Sequence, residues 1–279
     1  MDTCTARVAF AEELRVTAKL RSPAVIRAFA TVPRERFVGP GPWRVRNPTD
    51  AAEYWTTDNA DPRHVYHDVL IAVDETRGLN NGQPSLWASL LDDINLSPGE
   101  HVLHLGCGTG YYSAILAELV RSRGSVSALE IDERLAGRAQ HNLATWPQAT
   151  AINADASLYV PSKVDAAVAS AGATHPLPIW LDALNPGGRL LLPLTAEHRA
   201  GVVLLATRQT GHAFVARLIR PAGFIEFIGA RGAAAERLLK RALDRGNTGA
   251  VTSLRRDQHT EDASCWLHGD GYCLSTRPV

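Results

Sequence analysis

One stretch constrains the fold of this chain more than any other. A short apolar run, Val102–Leu105, is followed at once by the glycine-rich segment GCGTG, Gly106–Gly110. The apolar run is typical of a buried strand, and Tyr111–Val120 behind the glycines has helical periodicity. A strand, a tight glycine turn and a helix N-terminus let the backbone approach a ligand closely and direct N–H groups toward it. The stretch therefore predicts an α/β chain with a ligand-binding turn.

An acidic residue at the end of the next strand limits the class of ligand that is expected. Val126–Ile131 is strand-like, and Glu130 lies twenty residues after Gly110, where a carboxylate can accept hydrogen bonds from ribose hydroxyls. An adenosine-containing cofactor is therefore expected. A nicotinamide dinucleotide would require a third glycine at the position of Tyr111, so the spacing argues against that cofactor.

Strand and helix patterns alternate from residue 96 onward, as a doubly wound α/β sheet requires. The predicted strands are Val102–Leu105, Ser125–Ile131, Thr150–Asn153, Ala166–Ser170 and Arg189–Pro193, and the predicted helices are Tyr111–Val120, Glu133–Leu143 and Leu177–Leu184. Ligands of such sheets bind outside the carboxyl ends of the strands. We therefore expect one crevice to be surrounded by Gly106–Gly110, Glu130, Asp155 and Ser170–His175.

The flanks of this core are predicted more coarsely. Glu12–Ala30 predicts two short helices that are interrupted near Ser22-Pro23, and Val32–Val38 predicts a turn whose charges are solvated. Beyond the core, the predicted elements are strands at Gly201–Thr207, Ala213–Ile219 and Gly223–Gly229, a helix at Ala233–Arg245, and a hairpin at Cys265–Ser275 with Gly-Asp-Gly at its turn.

Composition excludes several classes of protein. Lysine plus arginine equal aspartate plus glutamate, 29 against 29, so no net charge draws the chain to nucleic acid or to an anionic membrane. No apolar run has the length of a signal peptide core or a membrane span, so a soluble, cytoplasmic protein is expected. The four cysteines do not form a disulfide framework.

A metal site is not expected. Cys265, His268 and Cys273 in the C-terminal hairpin are candidate ligands. Three candidates without paired C-x₂-C spacing are too few for a structural zinc site.

The motif series over Leu96–Leu194 resembles class I S-adenosylmethionine-dependent methyltransferases. More narrowly, residues 10–220 resemble the protein-L-isoaspartate O-methyltransferase family; the matching features are Val32–Val38 (VPRERFV), Gln83-Pro84, and Ala171-Gly172-Ala173 before Pro176 and Pro178. The resemblance implies a Rossmann-like class I methyltransferase sheet in an S-adenosylmethionine-binding domain, 79–220. An N-terminal helical and loop cap, 1–78, and a C-terminal α+β appendage, 221–279, would flank it.

The resemblance also implies an activity, in which S-adenosylmethionine methylates the misplaced carboxyl of L-isoaspartyl residues in a protein or peptide and so starts their repair. The residues that match the family's cofactor motifs are Gly106, Cys107, Gly108, Thr109 and Gly110 for the methionine portion, Glu130 for the ribose, and Asp155 with Ala156 for the adenine. For Asp155, a helix N-cap is the alternative reading of the residue alone. The loop beside the substrate carboxyl would contain Asn81, Gly82, Gln83 and Ser85.

Two departures from the family keep alternatives open. The family usually has serine or threonine where this chain has Gly82, so either Asn81 or Ser85 supplies the hydrogen bond to the substrate, or the methyl acceptor is an aspartate of a dedicated peptide or protein partner. A catalytically silent S-adenosylmethionine-binding adaptor is a further alternative. His104 stands where acidic residues are frequent, and we expect a supporting strand residue there.

General base catalysis is not required for a carboxyl acceptor. Its pKa near about 4 leaves it ionised at neutral pH. An alcohol or amine acceptor would have to lose a proton, and His175 is the residue near the expected crevice to take it. Otherwise His175 is a positioned loop residue.

Overall fold

The structure is a computed structural model that describes residues 2–46, 53–197, 200–211 and 213–279. Residues 47–52 of the predicted N-terminal cap lie outside these ranges. None of the described helices combines the length and the apolar character that crossing a membrane requires.

The described residues form helices and strands in the alternation that the sequence predicts. The helices are α1 Thr3–Thr17, α2 Pro23–Thr31, α3 Pro84–Ile94, α4 Tyr111–Val120, α5 Glu133–Asn142, α6 Pro178–Ala183 and α7 Ala233–Arg245. The strands are β1 Arg44–Arg46, β2 Trp55–Thr56, β3 Leu70–Asp74, β4 Leu79–Asn80, β5 His101–Leu105, β6 Ser125–Glu130, β7 Ala149–Asn153, β8 Val164–Ala169, β9 Leu184–Thr195, β10 Ala200–Arg208, β11 Phe214–Gly223, β12 Ser253–Arg255, β13 Cys265–Gly269 and β14 Tyr272–Ser275.

The chain divides into two compact units, each of which is discontinuous in sequence. The first contains Met1–Gly99 and Cys107–Asn153, and the second contains Glu100–Gly106 and Ala154–Val279. These units do not follow the predicted boundaries at residues 78 and 220. The division into cap, cofactor domain and appendage therefore stays a prediction.

The first unit packs helices α1, α2 and α4 around aromatic side chains. Its strands form a small sheet in the order β2-β1-β3-β4 and a parallel pair, β6 with β7. Phe10, Phe29, Phe37, Tyr66 and Tyr111 are buried and meet edge to face, with ring centroids 5.5 to 6.4 Å apart. Such pairs add stability beyond the area they bury, and here they fix the start of α4 against α1 and α2.

The second unit contains a sheet in the order β13-β14-β12-β11-β10-β9-β8-β5. β5, β8 and β9 pair in parallel, whereas every strand from β9 outward to β13 pairs antiparallel with its neighbour. β8 reads VDAAVA and is buried along most of its length. A nearly continuous apolar strand is typical of a parallel sheet that is covered on both faces.

Three predictions about the flanks are wrong. The first helix begins at Thr3 rather than Glu12, because Asp2 caps it by accepting a hydrogen bond from the Thr5 N–H at 2.9 Å. The segment Gly223–Gly229 is not a strand beyond its first residue and forms an isolated bridge between Glu226 and Gly172. The charges of Val32–Val38 are not all solvated, since Arg34 is fully buried in a 3₁₀ turn.

Candidate active site

The glycine turn joins the end of β5 to the start of α4. Gly106, Gly108 and Gly110 all have positive φ, +78°, +58° and +91°, a region that side chains with a Cβ rarely adopt. A Cβ built on Gly106 or Gly108 meets no atom of the described residues within 4 Å. Backbone conformation rather than crowding therefore selects glycine at these two positions, and the space beside them is open to a ligand.

Glu130 ends β6 and turns its carboxylate onto this segment. One oxygen accepts the Gly108 N–H at 2.7 Å and the other accepts the Asp132 N–H at 3.1 Å. The side chain is buried, and loss of hydration raises the pKa of the carboxyl. The carboxylate thus lies at the turn, as the sequence predicts for a residue that binds ribose.

Cys107 and Thr109 support the turn rather than react. Burial raises the pKa of the Cys107 thiol, which therefore stays protonated at neutral pH and is a poor nucleophile. The Cys107 N–H donates to the Leu129 carbonyl at 2.8 Å. The Thr109 carbonyl accepts the side-chain amide of Asn142 at 2.9 Å, so α5 holds the turn from behind.

Asp155 and Ala156 lie in the second unit. Oδ1 of Asp155 accepts hydrogen bonds from both the N–H and the hydroxyl of Ser157, at 2.8 and 2.7 Å. The carboxylate therefore caps a turn, and no helix begins there, so the alternative of a helix N-cap is wrong; Oδ2 is not used by this turn. The Ala156 carbonyl accepts the Trp180 indole N–H at 2.8 Å, which fixes the backbone beside the carboxylate.

His104 is a buried strand residue. Its Nε2 lies 2.7 Å from the Ser170 hydroxyl, and burial lowers the pKa of the imidazole to about 3. His104 is consequently neutral at physiological pH and carries no charge toward a ligand. It fixes the side chain at the carboxyl end of β8.

The loop after β8 takes its partners from distant segments of the second unit. The Gly172 N–H donates to Ile225 at 2.7 Å, and the Ala173 N–H donates to Pro193 at 3.0 Å. A Cβ at Gly172 would lie 2.1 Å from the Thr195 hydroxyl, so β9 leaves room only for glycine. Arg231 donates to the carbonyls of Gly172 and Thr195 at 3.0 and 3.1 Å and thereby fixes the loop.

His175 is half-buried at the end of this loop. Its Nδ1 lies 3.0 Å from the Thr174 hydroxyl, and its ring stacks on Tyr272 with centroids 5.9 Å apart. Burial lowers the pKa of the imidazole. A neutral, stacked ring fits the predicted role of a positioned loop residue.

The predicted substrate loop belongs to the first unit and is organised by Arg34. The Arg34 guanidinium donates to the side-chain oxygen of Asn81 at 3.1 Å. It also donates to the carbonyls of Val65, His67 and Val69, at 2.8 to 2.9 Å. A buried cation is tolerated only when its donors are paired, and here the partners are backbone carbonyls and an amide. The arginine of the VPRERFV motif therefore fixes the shape of this loop.

Gly82 occupies a position with no room for a side chain. Its φ is +76°, and a Cβ there would lie 2.8 Å from the Trp87 indole nitrogen and 3.1 Å from the Tyr112 ring. Trp87 and Tyr112 stack with centroids 4.4 Å apart, and the Tyr112 hydroxyl donates to the Gly82 carbonyl at 3.3 Å. The two rings thus fill the space where the family's serine or threonine side chain would begin.

Ser85 and Gln83 are both engaged by Asp68, a carboxylate that sequence analysis missed. The Ser85 hydroxyl donates to Asp68 at 2.6 Å, and the Ser85 N–H donates to it at 2.8 Å. The Gln83 amide donates to the same carboxylate at 3.2 Å. Because a serine hydroxyl has one hydrogen to donate, Ser85 cannot donate to a substrate while this bond persists.

The structure thus brings some of the predicted site residues together within each unit. Glu130 meets the glycine turn, and Asn81 and Gly82 lie in one loop under Arg34. That all of the predicted residues surround a single crevice stays a prediction. Asp68, Trp87 and Arg231 were missed because a lone acid, an apolar helix position and a distant arginine carry no local motif.

The glycine turn between a parallel strand and a helix, with an acidic residue ending the next strand, defines a class I methyltransferase. A solved structure described as a protein-L-isoaspartate O-methyltransferase has the same fold, with a TM-score of 0.64 at 23% identity over 84% of this chain and 69% of that one. The family profile of protein-L-isoaspartate (D-aspartate) O-methyltransferases matches residues 6–230. The chain belongs to this family, so the predicted family, fold class and enzyme class are confirmed.

Two further relatives are similar over most of their length. Protein-L-isoaspartate O-methyltransferase 1 of Geotalea uraniireducens is 29% identical over 76% of this chain and 88% of that protein. A structure from Plasmodium falciparum, described as a putative protein-L-isoaspartate O-methyltransferase in complex with S-adenosyl-L-homocysteine, has a TM-score of 0.63 at 17% identity, covering 80% of this chain and 98% of that one. The family match ends at residue 230, before α7 and the C-terminal hairpin.

Proposed function

We propose that this protein transfers a methyl group from S-adenosylmethionine to the carboxyl of L-isoaspartyl residues in proteins or peptides. The observation that carries the proposal is the Glu130 carboxylate on the Gly108 N–H, at a turn with open space beside it. Family membership confirms S-adenosylmethionine as the cofactor. The Plasmodium falciparum structure contains S-adenosyl-L-homocysteine, the compound that remains after S-adenosylmethionine has given up its methyl group, and this supports the assignment.

The residues at the turn fit this cofactor. A glycine backbone with open space accommodates the methionine portion, and the Glu130 carboxylate is an acceptor for ribose hydroxyls. Asp155 retains Oδ2 as an acceptor for the adenine amino group, because its local turn uses Oδ1. When bound, S-adenosylmethionine supplies a methyl group on a positively charged sulfur.

The remaining work of the protein is to orient the acceptor and exclude water. The substrate carboxylate is ionised at neutral pH and needs no general base. This agrees with the neutral imidazole of His104 and the protonated thiol of Cys107. Orientation of two reactants contributes up to about 7–11 kcal/mol to the lowering of a reaction barrier.

Asn81 is the best donor for the substrate carboxylate. Its side-chain oxygen accepts the Arg34 N–H, so the amide is oriented and its NH₂ group faces away from the guanidinium. The Ser85 hydroxyl donates to Asp68 instead. We therefore assign the role of the family's missing hydroxyl to the Asn81 amide.

Substitution of Glu130 by glutamine is expected to weaken S-adenosylmethionine binding at least about tenfold at pH 8, since hydrogen bonds to charged groups contribute about 1.5–3 kcal/mol. The raised pKa of Glu130 sets the sign of the pH dependence. As pH falls, the carboxylate takes up a proton earlier than an ordinary glutamate and loses acceptor strength, so wild-type affinity falls. Calorimetric titrations from pH 8 to pH 5 measure this.

The Glu130→Gln protein should show a flatter pH profile over the same range. Asp132→Asn provides a control, because Asp132 caps α5 from a neighbouring position. Equal affinities of wild type and Glu130→Gln at every pH would exclude Glu130 from cofactor binding.

A second candidate function is methylation of an aspartate in a dedicated peptide or protein partner. The specific observation in its favour is that Trp87 and Tyr112 fill the position of the family's hydroxyl beside Gly82. A substrate loop that differs from the family's at this position is expected if the protein methylates a different acceptor. The two candidates share the cofactor site and differ only in the acceptor.

Methyl transfer to a pair of synthetic peptides distinguishes these candidates. The peptides differ only in L-isoaspartate or L-aspartate at one position, and transfer is followed as base-labile radiolabel from S-adenosylmethionine. Label on the isoaspartyl peptide alone supports repair, and Asn81→Ala should then raise KM with little change in cofactor affinity. Cofactor binding without label on either peptide would exclude repair and favour the dedicated partner.

A further inference from the structure

Four potential metal ligands converge in the C-terminal part of the second unit. They are His259, Cys265, His268 and Cys273, and one nitrogen or sulfur atom from each lies within 4.8 Å of the others. Three of them, Cys265, His268 and Cys273, are recognisable from the sequence, but three ligands are too few for a structural zinc site. The structure supplies the fourth, His259, from the loop before the hairpin.

A β-bulge places the three hairpin ligands on one face. Cys265 and His268 are three residues apart on β13, so a regular strand would direct them to opposite faces. The register shifts between Cys265 and Leu267, where Trp266 is the extra residue, and this bulge returns both side chains to one face. His268 is paired directly with Cys273 on β14. The sequence spacing of Cys265 and His268 does not indicate a shared face, because the bulge between them cannot be recognised from the sequence.

His259 is oriented toward this face by its other ring nitrogen. Nδ1 lies 2.9 Å from the Asp257 carbonyl and 3.3 Å from the Asp257 carboxylate, whereas Nε2 lies 3.5 Å from the Cys265 sulfur. Metal-binding histidines usually donate their second nitrogen to a carbonyl or carboxylate in this way, which fixes the tautomer and the ring.

A second, independent observation points to a missing partner. Nδ1 of His268 is buried and makes no hydrogen bond within the part of the chain that the structure describes. A buried polar atom without a partner is destabilising. Coordination of a metal ion through this atom would satisfy it.

We propose that His259, Cys265, His268 and Cys273 bind a zinc ion. Two sulfurs and two imidazole nitrogens are a common tetrahedral donor set for structural zinc. Tetrahedral Zn–S and Zn–N bonds of about 2.3 and 2.0 Å place ligand atoms roughly 3.3–3.8 Å apart, so side-chain adjustments of about an ångström complete the site. Two thiolates also neutralise the charge of Zn²⁺, which suits a half-buried position.

The zinc ion is structural in this proposal, with all four coordination positions filled by protein. It joins the loop before β13 to both strands of the hairpin, a segment that lies outside the residues 6–230 that match the family. Tyr272, next to Cys273, stacks on His175. The site therefore stabilises the hairpin that supports His175, and it is independent of the proposed acceptor.

The test measures metal in the full-length protein. Protein purified without chelator is expected to contain about one zinc per chain. After replacement by cobalt, it should show the visible bands of a tetrahedral ion and a thiolate-to-cobalt charge-transfer band. Cys273→Ser should lose about half of the charge-transfer intensity or all of the metal, because one of two sulfur ligands is gone.

Matched variants separate coordination from loss of folding. His259→Ala changes a loop residue outside the hairpin and should also lower the zinc content and alter the cobalt spectrum. Cys4→Ser and His141→Ala change an exposed thiol and an exposed imidazole elsewhere, and both should retain the wild-type spectrum. Zinc removal from wild type should lower its thermal midpoint, and the same treatment should leave unchanged the midpoint of any variant that contains no zinc.

Three results would overturn the proposal. The first is wild-type protein that takes up neither zinc nor cobalt under reducing conditions. The second is a cobalt spectrum that His259→Ala and Cys273→Ser leave unaltered. The third is a Cys265–Cys273 disulfide in protein purified under reducing conditions, seen as the loss of two hydrogen atoms in intact mass, because a disulfide removes both thiolates.

Discussion

Replacing Arg34 by alanine is expected to lower the free energy of unfolding by about 4 kcal/mol, a loss at the upper end for single substitutions. The guanidinium pairs with three backbone carbonyls and the Asn81 side chain in a fully buried position. Its removal takes this donor away from each of the four acceptors and opens a cavity beside Phe10 and Tyr111, which the guanidinium contacts. Denaturant titration by circular dichroism measures the change.

The same motif supplies a control for this prediction. Arg36 is exposed and contacts Thr145 at 3.2 Å and the Trp146 ring, so Arg36→Ala should cost less than about 1 kcal/mol. Arg34→Lys keeps the charge but not the planar set of donors, and we expect an intermediate loss. If Arg34→Ala and Arg36→Ala were equally stable, the guanidinium would not organise the loop.

Replacing Gly82 by serine is expected to destabilise the protein by about 2–5 kcal/mol. The positive φ costs about 1–2 kcal/mol for a residue with a Cβ, and overpacking against the Trp87 ring adds about 1–3 kcal/mol. Trp87→Ala is itself costly, but it removes the ring that lies 2.8 Å from the added Cβ. The loss of unfolding free energy in the double variant Gly82→Ser/Trp87→Ala should therefore be smaller than the sum of the two single losses by at least about 1 kcal/mol.

Gly99→Ser isolates the cost of backbone conformation. Gly99 has φ +94°, and a Cβ there meets no atom of the described residues within 4 Å. Its loss should be about 1–2 kcal/mol, smaller than that of Gly82→Ser. Equal losses at the two positions, with no coupling to Trp87, would mean that the indole does not fill the position of the family's hydroxyl.

The elements that could be predicted from the sequence are those whose structure is determined by one short segment. The helix Tyr111–Val120 has the predicted bounds, as does Ala233–Arg245, and the strands of the core lie within a few residues of their predicted positions. Strand, glycine turn and helix follow each other directly, and local periodicity with turn chemistry is sufficient to predict them. The position of Glu130 follows in the same way from the end of a strand.

The missed features depend on residues that are far apart in the chain. The burial of Arg34 is determined by carbonyls some thirty residues later, and no local pattern distinguishes a buried arginine from a solvated one. Ser85 was interpreted as a free hydroxyl because its partner, Asp68, lies 17 residues earlier in the chain, beyond β3 and β4. His259 was missed because it lies in the loop before the hairpin, where no local spacing connects it to Cys265, His268 and Cys273.

The partners of Gly172 and Thr174 have a consequence for protein synthesis. These residues lie in the loop after β8, yet their backbone groups pair with Ile225, Phe227 and Ala230. A nascent chain that has emerged only as far as β9 contains every glycine of the turn Gly106–Gly110 but cannot complete this loop. This loop therefore completes its hydrogen bonds late in translation, only after the 35 residues that follow β9, up to Ala230, have left the ribosome.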